Sequence, residues 1–147
     1  MAIEELSAEA CRRLLDEVSV GWLAHCTAGR VHMVPVNFVV HAAELVFRTS
    51  YGTTLEAIVE GHPMTFGAGE FDAATQSGWS VTVSGAAHLI GDPLVNPGLS
   101  VADVWPALPR TVPVGLALTG VTGRRVRPGP TAPAAPDTSA VAPRADR

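Results

Sequence analysis

The sequence contains no lysine; all ten of its basic residues are arginine. Against fourteen acidic residues they leave a net charge of −4, so no basic face argues for nucleic acid. Cysteine is almost absent. Cys11 and Cys26 make neither a metal-binding spacing nor a disulfide framework, and read as idle or buried thiols of a reducing compartment. No apolar run approaches the roughly 20 residues that a membrane helix needs. The first residues are acidic and polar, unlike the basic and apolar start of a signal peptide. These absences exclude a membrane protein and a disulfide-stapled secreted one, and the expected location is the cytoplasm. The five histidines, His25, His32, His41, His62 and His88, are scattered without a metal pattern, so no metal site is expected. His62 precedes a proline and reads as a turn residue; His25 and His88 read as strand-face residues.

What is present is a 47% hydrophobic chain of 147 residues, enough for one domain with a real core. Ser7 is placed to cap a helix over 8–17, where Cys11, Leu14, Leu15 and Val18 form one apolar stripe. From Val20 the apolar period becomes two. Strands are expected over 20–26, 31–40, 44–50, 64–71, 79–90 and 112–121, with a helix over 53–60. Val34, Val36, Phe38 and Val40 should face the core, and Met33, Pro35, Asn37 and Val39 the other side. A short helical segment is expected around 99–105. Beyond residue 127 the chain is rich in Pro, Ala, Ser and Thr, and 128–147 reads as a disordered tail. A leading helix, six strands and one or two further short helices describe a mainly β, antiparallel six-stranded barrel of residues 1–127.

The stretch 34–55 concentrates the chemistry. Arg48, Thr49 and Ser50 end a strand, and Thr53 and Thr54 open the helix that follows. A guanidinium fork, several hydroxyls and the first amides of a helix suit an anion. The same residues also fit a plain hairpin and capped helix with Arg48 solvated. Pro35 cannot donate a ladder hydrogen bond and should lie at an edge or an irregularity. With Asn37 beside it, that backbone suits the rim of a heteroaromatic ring; a bulge with a solvated Asn fits equally. Gly67 and Gly69 either weaken their strand or admit a close neighbour.

Four motifs in register carry a resemblance. Val34-Pro35-Val36-Asn37, then Phe47-Arg48-Thr49 with Gly52 and Leu55, then Ser77-Gly78-Trp79-Ser80-Val81, then Thr122-Gly123-Arg124-Arg125 follow one another at similar spacing in the pyridoxamine 5'-phosphate oxidase-like, FMN-binding split barrels. The resemblance spans roughly residues 4–127. It implies a homodimer with flavin at the subunit interface. By position it implies that Pro35, Val36, Asn37 and Phe38 line the ring, and that Arg48, Thr49, Ser50, Thr53 and Thr54 hold the phosphate. Trp79 and Ser80 would lie near the cofactor across the interface. The chain departs from the family pattern at Thr54, where relatives usually carry lysine. In a partly buried phosphate site the loss of that cation costs about 1–3 kcal/mol. It departs again at Gly67 and Gly69, where relatives often carry acidic residues.

Three functions follow. One is an FMN-dependent oxidoreductase acting on a small-molecule substrate, with the chemistry carried by the cofactor and no acid, base or nucleophile assigned. The second is a relative using a deazaflavin coenzyme or haem, the latter with a histidine such as His25 or His88 as axial ligand. The third is a binding protein, or a barrel that has lost its cofactor.

Overall fold

The computed structural model describes residues 2–50, 52–90 and 111–128. The helical segment expected around 99–105 and the tail beyond residue 128 lie outside them. In chain order the elements are β1 (Ala2–Leu6), α1 (Ala8–Leu15), β2 (Val20–Thr27), β3 (Arg30–His41), β4 (Glu44–Ser50), α2 (Thr53–Val59), β5 (Pro63–Asp72), β6 (Ser77–Leu89), β7 (Thr111–Ala117) and β8 (Val121–Arg127).

All strand pairings are antiparallel. The ring runs β6-β5-β2-β3-β4-β7 and returns to β6, so the expected barrel of six strands is β2 to β7. Two further strands extend it: β8 adds to the flank of β6, and β1 adds to β8. Neither was expected as a separate strand. The run 112–121 breaks at a turn over 118–120, which Leu116, Leu118 and Val121 disguise as one apolar segment. β1 is exposed along nearly its whole length, so it has no alternating pattern to read.

Two long strands make the barrel split. β3 pairs with β2 through Asn37 and then with β4 from Phe38 onward. β6 pairs with β5 and β8 along most of its length and with β7 only over Ala87–Leu89. The β2–β3 connection is a two-residue turn in which Ala28 (φ 52°) and Gly29 (φ 73°) are both left-handed, the geometry that matches strand twist in a tight hairpin.

The core is filled by the inward faces of the ring. Leu23, Phe38, Phe47, Phe66, Val81, Val83 and Leu116 are buried, and Phe38 meets Phe66 edge to face at 4.8 Å. Val36 and Phe38 point inward as expected, but Val34 is exposed, because β3 has no second neighbour there. Ser7 caps α1, its hydroxyl accepting from the Ala10 amide at 3.1 Å. Cys11, Leu14 and Leu15 bury the stripe of that helix. Cys11 is buried and Cys26 exposed, both as free thiols.

The two glycines of β5 do different things. A Cβ on Gly69 would lie 2.4 Å from the Trp79 carbonyl oxygen, so only glycine fits the β5–β6 approach there. A Cβ on Gly67 would touch nothing closer than 3.9 Å, so that position lies open.

Two expected outcomes follow from the packing. On β2, a Cβ at Gly21 would sit 2.3 Å from the Phe66 ring and 2.7 Å from the Gly67 carbonyl oxygen. Gly21→Ala should therefore cost about 1–3 kcal/mol, measured as a lower urea midpoint with an unchanged slope; an unshifted midpoint would show that the ring moves aside freely. On the barrel surface, Glu44 hydrogen-bonds His88 and holds its imidazole above the usual histidine range, with burial opposing. A raised folded-state value means that this contribution is complete below the unfolded value and fades as pH climbs through the raised one. The Tm advantage of wild type over His88→Gln should be larger in acid than in mild alkali, and a pH-independent difference would contradict this.

Candidate functional site

The point where β3 changes partner creates the opening. Over 30–37 β3 is paired only to β2, and its other side is an edge. Pro35, which has no N–H to offer, sits within this stretch opposite Trp22, as the sequence suggested. The β3–β4 ladder begins at Phe38–Phe47. One residue back along β3 is Asn37, and one residue onward along β4 is Arg48. The split thus has two lips, Pro35–Asn37 on one strand and Arg48–Ser50 on the other.

Arg48 is half-buried and already oriented. Its Nε donates to the Thr111 hydroxyl at 2.8 Å and one terminal nitrogen donates to the Thr111 carbonyl at 3.1 Å. Two of its five N–H groups are thereby committed, and no described residue accepts from the other three. A fork held at its base with donors to spare suits an oxyanion. Thr49 is half-buried beside it, Ser50 and Thr53 are exposed, and Thr54 is half-buried on α2. Gly52 supplies no side-chain cap to this helix, which is only seven residues long. Arginine and hydroxyls are therefore the stronger candidates here for meeting an anion.

Thr54 leads to a group that sequence reasoning did not bring to the site. Its hydroxyl is 3.2 Å from His25 Nε2, and His25 Nδ1 is 2.8 Å from the Thr27 hydroxyl. His25 is only 4% exposed. Its ring stacks on His32 with centroids 5.0 Å apart and planes at 14°. Burial, then the charges of His32 and His62, push the His25 imidazole below the usual histidine range. The two-residue turn at Ala28-Gly29 would have revealed the pairing of His25 with His32. The docking of α2 over β2, which delivers Thr54, leaves no local trace.

The ring-lining set divides. Val36 and Phe38 send their side chains into the core, and the Phe38 amide donates to the Ser19 carbonyl at 3.0 Å. The Asn37 amide nitrogen donates to the Ser19 carbonyl at 2.8 Å, fixing the start of β2. Trp79 is buried in the core. Ser80 lies opposite Gly69 on β6. β2 and β5 intervene between β6 and β3, so Ser80 is about 14 Å from the split at ordinary strand spacing. Within a single chain Trp79 and Ser80 are not brought to Arg48.

Around the split the outer surface is apolar. Val20, Trp22, Val31 and Met33 on β2 and β3 are all exposed, Trp22 at 52%. A cavity of about 750 Å³ lies elsewhere, between the ends of β5, β6 and β8, and is lined by Glu70, Trp79, Arg125 and Arg127 among others. It contains neither Arg48 nor Pro35, so chemistry and volume disagree. The oriented guanidinium at the split is the more specific feature. Among the described residues no group of His, Cys, Asp or Glu is placed to hold a metal ion, and no helix is long and apolar enough to cross a membrane. His25 has both ring nitrogens engaged, and His88 Nε2 is bonded to Glu44, so neither offers Nε2 freely as an axial ligand.

A six-stranded antiparallel ring opened by one strand that changes partner, with two appended strands and two helices, is a split barrel. The family model for pyridoxamine 5'-phosphate oxidase matches residues 7–125, and the chain belongs to that family. Among solved structures, the FAD-binding protein from Mycobacterium smegmatis is 33% identical, with a TM-score of 0.70 over 84% of this chain and 100% of that one. An FAD-binding protein from Mesorhizobium loti is 22% identical, with a TM-score of 0.72 over 86% and 99% of the two chains. The FAD- and haem-binding protein from Mycobacterium smegmatis is 20% identical, with a TM-score of 0.66 over 85% and 74%. A search of curated proteins returned no match.

Proposed function

We propose that this chain is a flavin-nucleotide-binding oxidoreductase that holds FMN at the split of its barrel and acts on a small-molecule substrate. The observation that carries the reading is Arg48, half-buried at the lip and oriented by Thr111 with donors to spare. Arg48 would take the phosphate, with Thr49, Ser50, Thr53 and Thr54 as neutral donors. Backbone of Pro35–Phe38 would face the rim of the ring. Its relative of 33% identity binds FAD. FMN and FAD share the phosphate next to the ribityl chain, so the same anchor serves either. A deazaflavin coenzyme carries a phosphate at the same place and is told apart by its absorbance. Bound flavin supplies the redox chemistry; the protein's part is to bind, orient and exclude water.

The ring needs a second wall, because the barrel interior is filled by its own side chains. We assign that wall to a second copy of the chain, docked over the apolar surface at Val20, Trp22 and Met33. A patch of this kind is a usual mark of an interface. Trp79 and Ser80 would approach the ring from that copy.

Two measurements test this. Light scattering at micromolar concentration should return about twice the 15.3 kDa of one chain, and Trp22→Glu should return the single-chain mass; a wild-type monomer overturns the homodimer. In calorimetric titrations Arg48→Ala should weaken FMN by about 2–4 kcal/mol and riboflavin, which lacks the phosphate, far less. Equal losses for both ligands would remove the phosphate role from Arg48. Absence of any flavin binding at about millimolar ligand would leave a barrel without cofactor as the better reading.

A further inference from the structure

The anion site is short of permanent charge. The chain has no lysine, and between Arg30 and Arg110 Arg48 is its single arginine. Behind Thr54, however, stands a buried imidazole bonded at both nitrogens. We propose that His25 is a positioning residue of the phosphate site, aiming the Thr54 hydroxyl proton at the bound anion and, once protonated, adding a second positive charge behind it. The proposal rests on the flavin-phosphate reading given above.

Donors and acceptors decide which way the Thr54 proton points. A neutral imidazole donates from one nitrogen and accepts at the other. If Nε2 accepts, the Thr54 proton is turned inward and lost to a ligand. If Nε2 donates, the Thr54 oxygen accepts, its own proton is released outward, and Nδ1 accepts from Thr27. An anion at Thr54 selects the second arrangement. The imidazolium, which donates from both nitrogens, enforces it. Anion binding and protonation of His25 therefore favour one another.

The surroundings keep the proton off until the anion arrives. His25 is 4% exposed. On β3 it faces His32, stacked at 5.0 Å. From the turn after α2 it senses His62, which is itself paired with Glu60 at 3.0 Å. Its register partner on β5 is the uncharged Met64. On β4 Arg48 is tied to Thr111 and is not among the charges that shift His25. Burial first, and then the electrostatic effect of His32 and His62, disfavours the proton on the free imidazole, and a phosphate-like anion offsets them. The ligand-bound value must therefore lie above the free one, and affinity for the anion rises as pH falls through that interval.

The test needs a ligand whose own charge stays constant, because the FMN phosphate also titrates. Riboflavin 5'-sulfate keeps one negative charge throughout, and riboflavin serves as the uncharged control. With the full chain, the sulfate ester should bind about tenfold more tightly near pH 5.5 than near pH 8. Its calorimetric heat should vary with the ionisation enthalpy of the buffer, which reports proton uptake. Riboflavin should show neither effect. His25→Gln should abolish both, and so should Thr54→Val, which lies on a half-buried helix position and leaves His25 in place. A pH dependence that survives in both variants, or a wild type with none, overturns the role of His25 while Arg48 keeps its own. If no flavin binds at either pH, the underlying cofactor reading fails, and this proposal with it.

Discussion

A strand that changes partner midway cannot satisfy both sides of its backbone along its whole length. β3 exchanges β2 for β4 between Asn37 and Phe38, and the rest of the site depends on that exchange. Before it, one edge of β3 lacks a neighbour, and a proline is accommodated where a ladder bond would otherwise be lost. On its other edge β4 pairs with β7 over its whole length and runs on past the β3 ladder, and this carries Arg48 to Thr111. The opening is thus a property of sheet topology, and the residues at its lips are those that open backbone and a bonded guanidinium can use.

If the opening takes an anion, as proposed, the distribution of charge around it is unusual. One arginine supplies the permanent charge, and hydroxyls supply most of the remaining donors. Neutral donors cost little to bury when they bond to one another, and a buried unpaired cation costs much more. The chain has taken the first course: Thr27, His25 and Thr54 satisfy each other in a row. Such a row is inert toward solvent and responsive to whatever sits at its outer end.

Much of the fold was legible because the strands alternate. Val81 and Val83 on β6, and Leu23 on β2, are buried as their period requires. The failures have local causes. β1 carries consecutive glutamates and almost no buried side chain, so burial leaves no mark on its sequence. The turn before β8 is hidden because apolar residues flank it on both sides. At the candidate site, Arg48 could be singled out from its sequence neighbours alone. Thr111, 63 residues away, was not, since only the β4–β7 ladder joins them. His25 read as an ordinary strand-face residue. Its alternation with Thr27 showed in the sequence, but its contact with Thr54 required a helix to dock across the barrel.

The pairing of β1 with β8 joins Ala2 to Arg127 and Leu6 to Gly123. On the ribosome β1 emerges long before β8. The N-terminal strand must wait, unpaired, until nearly the whole described chain has been released, and contacts so distant in sequence form slowly. Two consecutive glutamates in a five-residue strand make that waiting edge a poor template for a neighbouring nascent chain. The charge that hides β1 from sequence reading also makes its edge a poor place for a second chain to pair.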